Sequence, residues 1–127
     1  MKPITSRTHG LLDYIVGVVL IIAPFLLGFA NDGPAMWVPI ILGAGVILYS
    51  LLTHYEYGMV AAIPLPFHLV LDALGGVFLA ASPWIFGFAE YIWVPHVLFG
   101  LLEIGVAALT RTVPTHTNIR PRVETRI

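Results

Sequence analysis

The sequence predicts an all-α fold: a four-transmembrane-helix bundle built from two tandem two-helix repeats, with pseudo-twofold symmetry along the membrane normal. Three observations predict it. Of 127 residues, 58% are hydrophobic and 10% charged, against about 25% charged in an ordinary soluble domain. A chain this small has too few polar side chains to cover a water-exposed globule. Four apolar stretches, residues 11–29, 37–52, 66–88 and 92–109, are divided by turn-forming residues. The second pair of stretches then repeats the first.

Each stretch reads as a helix because backbone polar groups cannot go unpaired in lipid, and nothing alternates as a barrel strand does. Crossing a hydrocarbon core of about 30 Å takes about 20 helical residues. The first, third and fourth stretches fit that length. The second is short and is expected to recruit Ser50, Thr53 and His54 at its inner end. Asn31-Asp32-Gly33-Pro34 divides the first two helices, and Glu56-Tyr57-Gly58, with Pro64 and Pro66, divides the middle two. Residues 59–65 are apolar but carry a proline, which suits an interfacial segment. The connection Ala89-Glu90-Tyr91 is tight and makes the last two helices antiparallel neighbours.

The basic residues lie outside the spans. Lys2 and Arg7 precede the first; Arg111, Arg120, Arg122 and Arg126 follow the last. Both termini are therefore expected in the cytoplasm, with Trp37, Trp84 and Trp93 at the outer helix ends as an interfacial belt. A competing reading makes the first stretch a cleaved signal peptide ending at Gly28-Phe29-Ala30. Against it, Gly87-Phe88-Ala89 recurs within the chain in the same relation to its helix. The formal charge of −1 excludes a basic nucleic-acid binder, and the absence of cysteine excludes disulfides, thiolate catalysis and cysteine-ligated metals.

The repeat is specific. His9, Asp13, Gly17, Pro24 and Gly28-Phe29-Ala30 return as His68, Asp72, Gly76, Pro83 and Gly87-Phe88-Ala89, each 59 positions on. Trp37-Val38-Pro39 returns as Trp93-Val94-Pro95, 56 positions on. The units are residues 1–57 and 58–111, followed by a basic cytoplasmic tail, 112–127. Both copies share one orientation, so the first and third helices are equivalent and parallel.

His-x-x-x-Asp puts His9 and Asp13, and likewise His68 and Asp72, one turn apart on one helix face. Small residues continue that face, which should look toward protein rather than lipid. The pairs have a structural reading, bonding across the axis or satisfying backbone near the inner helix ends. As an alternative, Asp13 and Asp72 form the ionisable centre of a proton or ion pathway. A third reading is a haem or metal site through His9 and His68. Glu103 lies inside the last helix, with Ile47 at the equivalent place in the second by the 56-residue spacing. Glu56 is expected to be solvated, and His54, His96 and His116 have no metal-ligand spacing.

Pro24 and Pro83 free the carbonyls of Leu20 and Leu79 and bend their helices, and the Ser82 hydroxyl can compensate. Gly28 and Gly87 serve either close helix contact or a left-handed cap. Gly43, Gly45, Gly100 and Gly105 are expected to allow close approach. With no nucleophile constellation, phosphate loop or dinucleotide fingerprint, no enzymatic activity and no bound cofactor are expected. The expected partners are the lipid bilayer and other membrane proteins, among them further copies of the chain.

Ala81-Ser82-Pro83-Trp84-Ile85-Phe86-Gly87-Phe88 resembles the signature of the SPW repeat family of small bacterial membrane proteins. The run from Ile63-Pro64 through His68, Asp72 and Gly76 resembles it too, and both copies, roughly residues 5–110, are covered. The first copy departs from the signature, with Ala23-Pro24-Phe25 in place of Ser-Pro-Trp. The resemblance implies a multi-pass membrane protein with two helices per repeat, and no particular activity.

Overall fold

In the computed structural model, which describes residues 2–113, the chain forms four helices and no named strand. They are α1 (Ser6–Leu26), α2 (Pro34–Leu51), α3 (Leu65–Ile85) and α4 (Val94–Leu109). Arg120, Arg122, Arg126 and His116, with most of the expected tail, lie outside the described residues.

The helix starts follow from local chemistry. Thr5 is extended, and its hydroxyl accepts the Thr8 backbone N–H at 3.2 Å, capping α1. The helix therefore begins five residues before the first apolar stretch, with a polar first turn that carries His9. Prolines occupy the first turns of α2, α3 and α4, where a missing N–H costs nothing. At 16 residues, α4 is the shortest helix. This corrects the expectation that the second alone is short: Trp93 caps α4 only after the loop of Tyr91 and Ile92. Three helices are long and apolar enough to cross a membrane, and α4 is a shorter apolar one.

The ends of α1 and α3 match. Gly28 and Gly87 sit in the left-handed region at φ 77° and 73°. The next residue returns its N–H to the proline carbonyl, Phe29 to Pro24 at 2.9 Å and Phe88 to Pro83 at 2.8 Å. A Cβ on either glycine would meet nothing within 4 Å, so conformation and not close contact selects glycine there. The Ser82 hydroxyl donates to Leu79 O at 2.7 Å, the carbonyl that Pro83 frees.

Antiparallel α1 and α2 pack along their length, as do α3 and α4, while the hairpins meet less extensively. Gly17 faces Gly43, and Gly76 faces Gly100, so closely that a Cβ on Gly43 or Gly100 would stand 2.5 Å from the opposing glycine carbonyl. Ile47 and Ile104 cover these crossings in the same way. The second helices are thus equivalent at a spacing of 57 in their bodies; the Trp-Val-Pro spacing of 56 holds only at their outer ends. In this register Glu103 corresponds to Val46, which corrects the assignment to Ile47. Gly45 and Gly105 have open space at the Cβ position and do not mediate close approach.

Leu20, Val38 and Leu79 form a small apolar core, flanked by Val16, Leu42 and Phe99. Many large apolar side chains point outward instead, among them Leu26, Ile41, Leu74 and Leu98. Trp37, Trp84 and Trp93 are also exposed, at one end of the bundle. An apolar exterior around a partly polar centre suits a lipid surround and would be insoluble in water.

Gly100→Val should cost roughly 1–3 kcal/mol through overpacking against Gly76 and Ala80. Gly105→Ala should be neutral or stabilising by up to about 1 kcal/mol. Unfolding of both variants in one detergent, followed by circular dichroism, checks the contrast.

Candidate functional site

The parallel helices α1 and α3 each carry the His-x-x-x-Asp face, and the fold brings the two faces together. His9, Asp13, His68 and Asp72 are all buried. Contacts cross between repeats: His9 Nε2 lies 2.8 Å from Asp72 Oδ2, and His68 Nε2 lies 2.9 Å from Asp13 Oδ2. Within each helix the corresponding distances are 3.1 Å for His9–Asp13 and 3.2 Å for His68–Asp72. His9 makes an aligned hydrogen bond to Asp72, whereas His68 Nε2 is close to two carboxylates and aligned with neither.

The second nitrogen of each ring is held in equivalent fashion. His9 Nδ1 lies 2.8 Å from Thr110 Oγ1, and His68 Nδ1 lies 2.7 Å from Thr53 Oγ1. Each hydroxyl donates its single hydrogen backward, Thr110 to Val106 O at 2.6 Å and Thr53 to Tyr49 O at 2.7 Å. Each threonine oxygen must therefore accept a proton from Nδ1, and both Nε2 atoms are left facing carboxylate oxygens. Two lone pairs do not sit at such distances unaided, so every such contact needs a proton or a cation between nitrogen and oxygen.

The threonines are placed by paired bridges. Ile4 pairs with Thr110, and Ile63 pairs with Thr53, tying the start of α1 to the end of α4 and the start of α3 to the end of α2. Tyrosines complete the shell. Tyr55 OH donates to Asp13 Oδ2 at 2.9 Å, and Tyr49 OH donates to Asp72 Oδ1. Burial first, and then the Asp13 carboxylate, push the Tyr55 phenol well above its usual range, so it remains a donor.

The surround is less symmetric than the quartet. Tyr49 stacks edge-on against His68 on the α2–α3 side, with ring centroids 4.9 Å apart. Its counterpart at a spacing of 57 is Val106, which leaves space on the α1–α4 side. A cavity of about 80 Å³ lies there, lined by His9, Asp13, Asp72 and Glu103 among apolar side chains. Glu103 Oε1 is buried without a hydrogen-bond partner among the described residues.

Of the residues singled out in the sequence, His9, Asp13, His68 and Asp72 converge, and Glu103 borders their cavity. Pro24, Gly28, Ser82, Pro83, Trp84 and Gly87 lie at the opposite ends of α1 and α3 and shape helix termini. Glu56 is half-buried and accepts from the Ser6 hydroxyl at 2.7 Å, which corrects its reading as solvated. His96 is buried between Phe29 and Phe88, with Nε2 2.8 Å from Ala35 O. Thr53, Thr110, Tyr49 and Tyr55 were not among the candidates; the 57-residue spacing of the threonines was the available signal.

The four ligand-type atoms of the quartet lie within 4.8 Å of one another, close enough to surround one metal ion. A haem between His9 and His68 does not fit, because the carboxylates occupy the space that a flat macrocycle needs.

The model of the SPW repeat domain matches residues 7–110, both repeats and the whole quartet. The chain belongs to the SPW repeat family. No curated protein and no solved structure matches it. In this SPW repeat protein the Ser-Pro-Trp segment of the second copy ends α3, remote from the quartet.

Thr53→Val strands the His68 Nδ1 proton and should destabilise the protein by about 1–3 kcal/mol. Thr53→Ser, which keeps the hydroxyl, should restore most of the loss. Denaturant titration in detergent compares the two.

Proposed function

We propose that this SPW repeat protein is a small multi-pass membrane protein with a structural or interaction role and no enzymatic activity. Its quartet locks two hairpins into one bundle. The crossed His9–Asp72 and His68–Asp13 contacts carry this reading, since each joins one repeat to the other. Buried charge in an apolar surround is costly unless paired, so the two halves are stable only in the arrangement that pairs it. Gly45 and Gly105, half-buried with open space at the Cβ position, support self-association or contact with other membrane helices, because small residues let backbones approach in lipid. Nucleic acid is not a partner of so apolar a chain.

Asp72→Ala should cost roughly 3–5 kcal/mol, since it leaves two imidazoles short of a partner. A double-mutant cycle between His9 and Asp72 should return about 0.5–3 kcal/mol of coupling. Additivity would remove the lock.

A second reading, a proton or ion pathway through Asp13 and Asp72, is favoured by the cavity that those carboxylates and Glu103 border. In liposomes, flux through the folded protein that vanishes in an equally folded Asp13→Asn/Asp72→Asn variant would put transport in place of the structural role. The lock expects no difference between them.

The placement that goes with this proposal is the plasma (inner) membrane of a bacterium, with both termini cytoplasmic. The loop–charge asymmetry supports it. The absence of native cysteine makes labelling clean. Asp32→Cys should react with an impermeant thiol reagent in intact cells, and Lys2→Cys only after lysis.

A further inference from the structure

We infer that the His9–Asp13–His68–Asp72 quartet is a binding site for one divalent first-row transition-metal ion of the Zn²⁺ type. The inference deepens the proposed reading and rests on the same quartet as its organising centre.

Four observations carry it. Two imidazoles and two carboxylates, one ligand atom each within 4.8 Å of the others, make a complete four-coordinate set. Ligands about 2.0–2.1 Å from a tetrahedral Zn²⁺ stand about 3.3 Å apart. Through one oxygen of each aspartate, the His9–Asp72, His68–Asp13 and His68–Asp72 distances of 2.8, 2.9 and 3.2 Å need to open by a few tenths of an ångström, while the remaining pairs, within 4.8 Å, draw in around the ion.

The orientation is also that of a ligand set. Metal-bound histidine characteristically gives its other N–H to a fixed acceptor, which aims the free nitrogen at the ion. Thr110 and Thr53 supply those acceptors, each anchored to a helix carbonyl. Tyr55 and Tyr49 hold the carboxylates from outside.

One ring nitrogen lies between two carboxylates without alignment to either. His68 Nε2 is fully buried, points into the quartet, and has no aligned hydrogen bond among the described residues. A cation at the centre would meet that nitrogen and both carboxylates at once.

Charge selects the ion class. Two neutral imidazoles and two carboxylates sum to −2, which a dication cancels inside an apolar bundle. Imidazole disfavours Mg²⁺ and Ca²⁺, which prefer all-oxygen shells of higher coordination. The cavity on the α1–α4 side offers the way in, and Glu103 sets a further carboxylate on its wall.

The test uses the full chain in lipid nanodiscs, stripped by a chelator and titrated with Co²⁺. We expect the visible absorption of tetrahedral Co²⁺, saturating at one ion per chain and bleached by Zn²⁺. His68→Asn should weaken binding roughly 100-fold or more, and Thr110→Val about 10–100-fold, with recovery in Thr110→Ser. Glu90→Gln, in the outer loop, should bind like the parent.

Circular dichroism and monodisperse elution identify the folded variants, and Thr110→Val serves where His68→Asn does not fold. Folded parent protein that takes up neither Co²⁺ nor Zn²⁺, or binds them as well when Thr110 is Val, overturns the inference. If the parent takes up no metal but His9 and Asp72 remain coupled, the metal site falls and the lock stands. If metal binds but the metal-free cycle is additive, the lock falls and the site stands.

Discussion

The constraint on which this bundle depends is the pairing of two imidazoles with two carboxylates at its centre, away from both water and lipid. An ionisable group in an apolar interior is tolerated only with a partner. Each histidine here reaches an aspartate of the other repeat as well as its own. Neither hairpin alone supplies the whole set. The parallel arrangement of α1 and α3, at one common depth, follows from that requirement as much as from apolar packing.

Around this centre the protein uses the same devices twice. A threonine at the end of one repeat's second helix receives the Nδ1 proton of the other repeat's histidine, and a short backbone bridge places it there. Glycine pairs bring α1 onto α2 and α3 onto α4, and the His and Asp side chains reach across between α1 and α3. Left-handed glycines end α1 and α3 and seat Phe29 and Phe88 on either side of His96. Symmetry fails where Tyr49 and Val106 differ, and the resulting space lies beside the carboxylates. With a phenol ring on one side and an isopropyl group on the other, the centre is packed on the Tyr49 side and bordered by a cavity on the Val106 side.

Much of the site was legible in the chain. A duplicated His-x-x-x-Asp separated by 59 residues places four ionisable groups on two equivalent helix faces, and lipid forbids those faces from pointing outward. Their shell was not legible. Thr53 figured only as an extension of the second span, and Thr110, Tyr49 and Tyr55 carried no motif that singled them out. The spacing of 56 taken from Trp-Val-Pro hid the pairing of the threonines and matched Glu103 with the wrong residue. Local motifs mark a register only where they sit, and the helix bodies take theirs from the glycine crossings.

The sequence by itself determined the helix number, the apolar exterior, the duplication and the four residues at the centre. These follow from composition and periodicity, which act along the chain. Tertiary structure decided that the histidines cross to the opposite repeat, that threonine hydroxyls orient their rings, and that α4 is the short helix. It also decided that one side of the centre is filled while the other is open. Those outcomes depend on distances between residues far apart in the chain, where a single methyl group or phenol ring sets what fits.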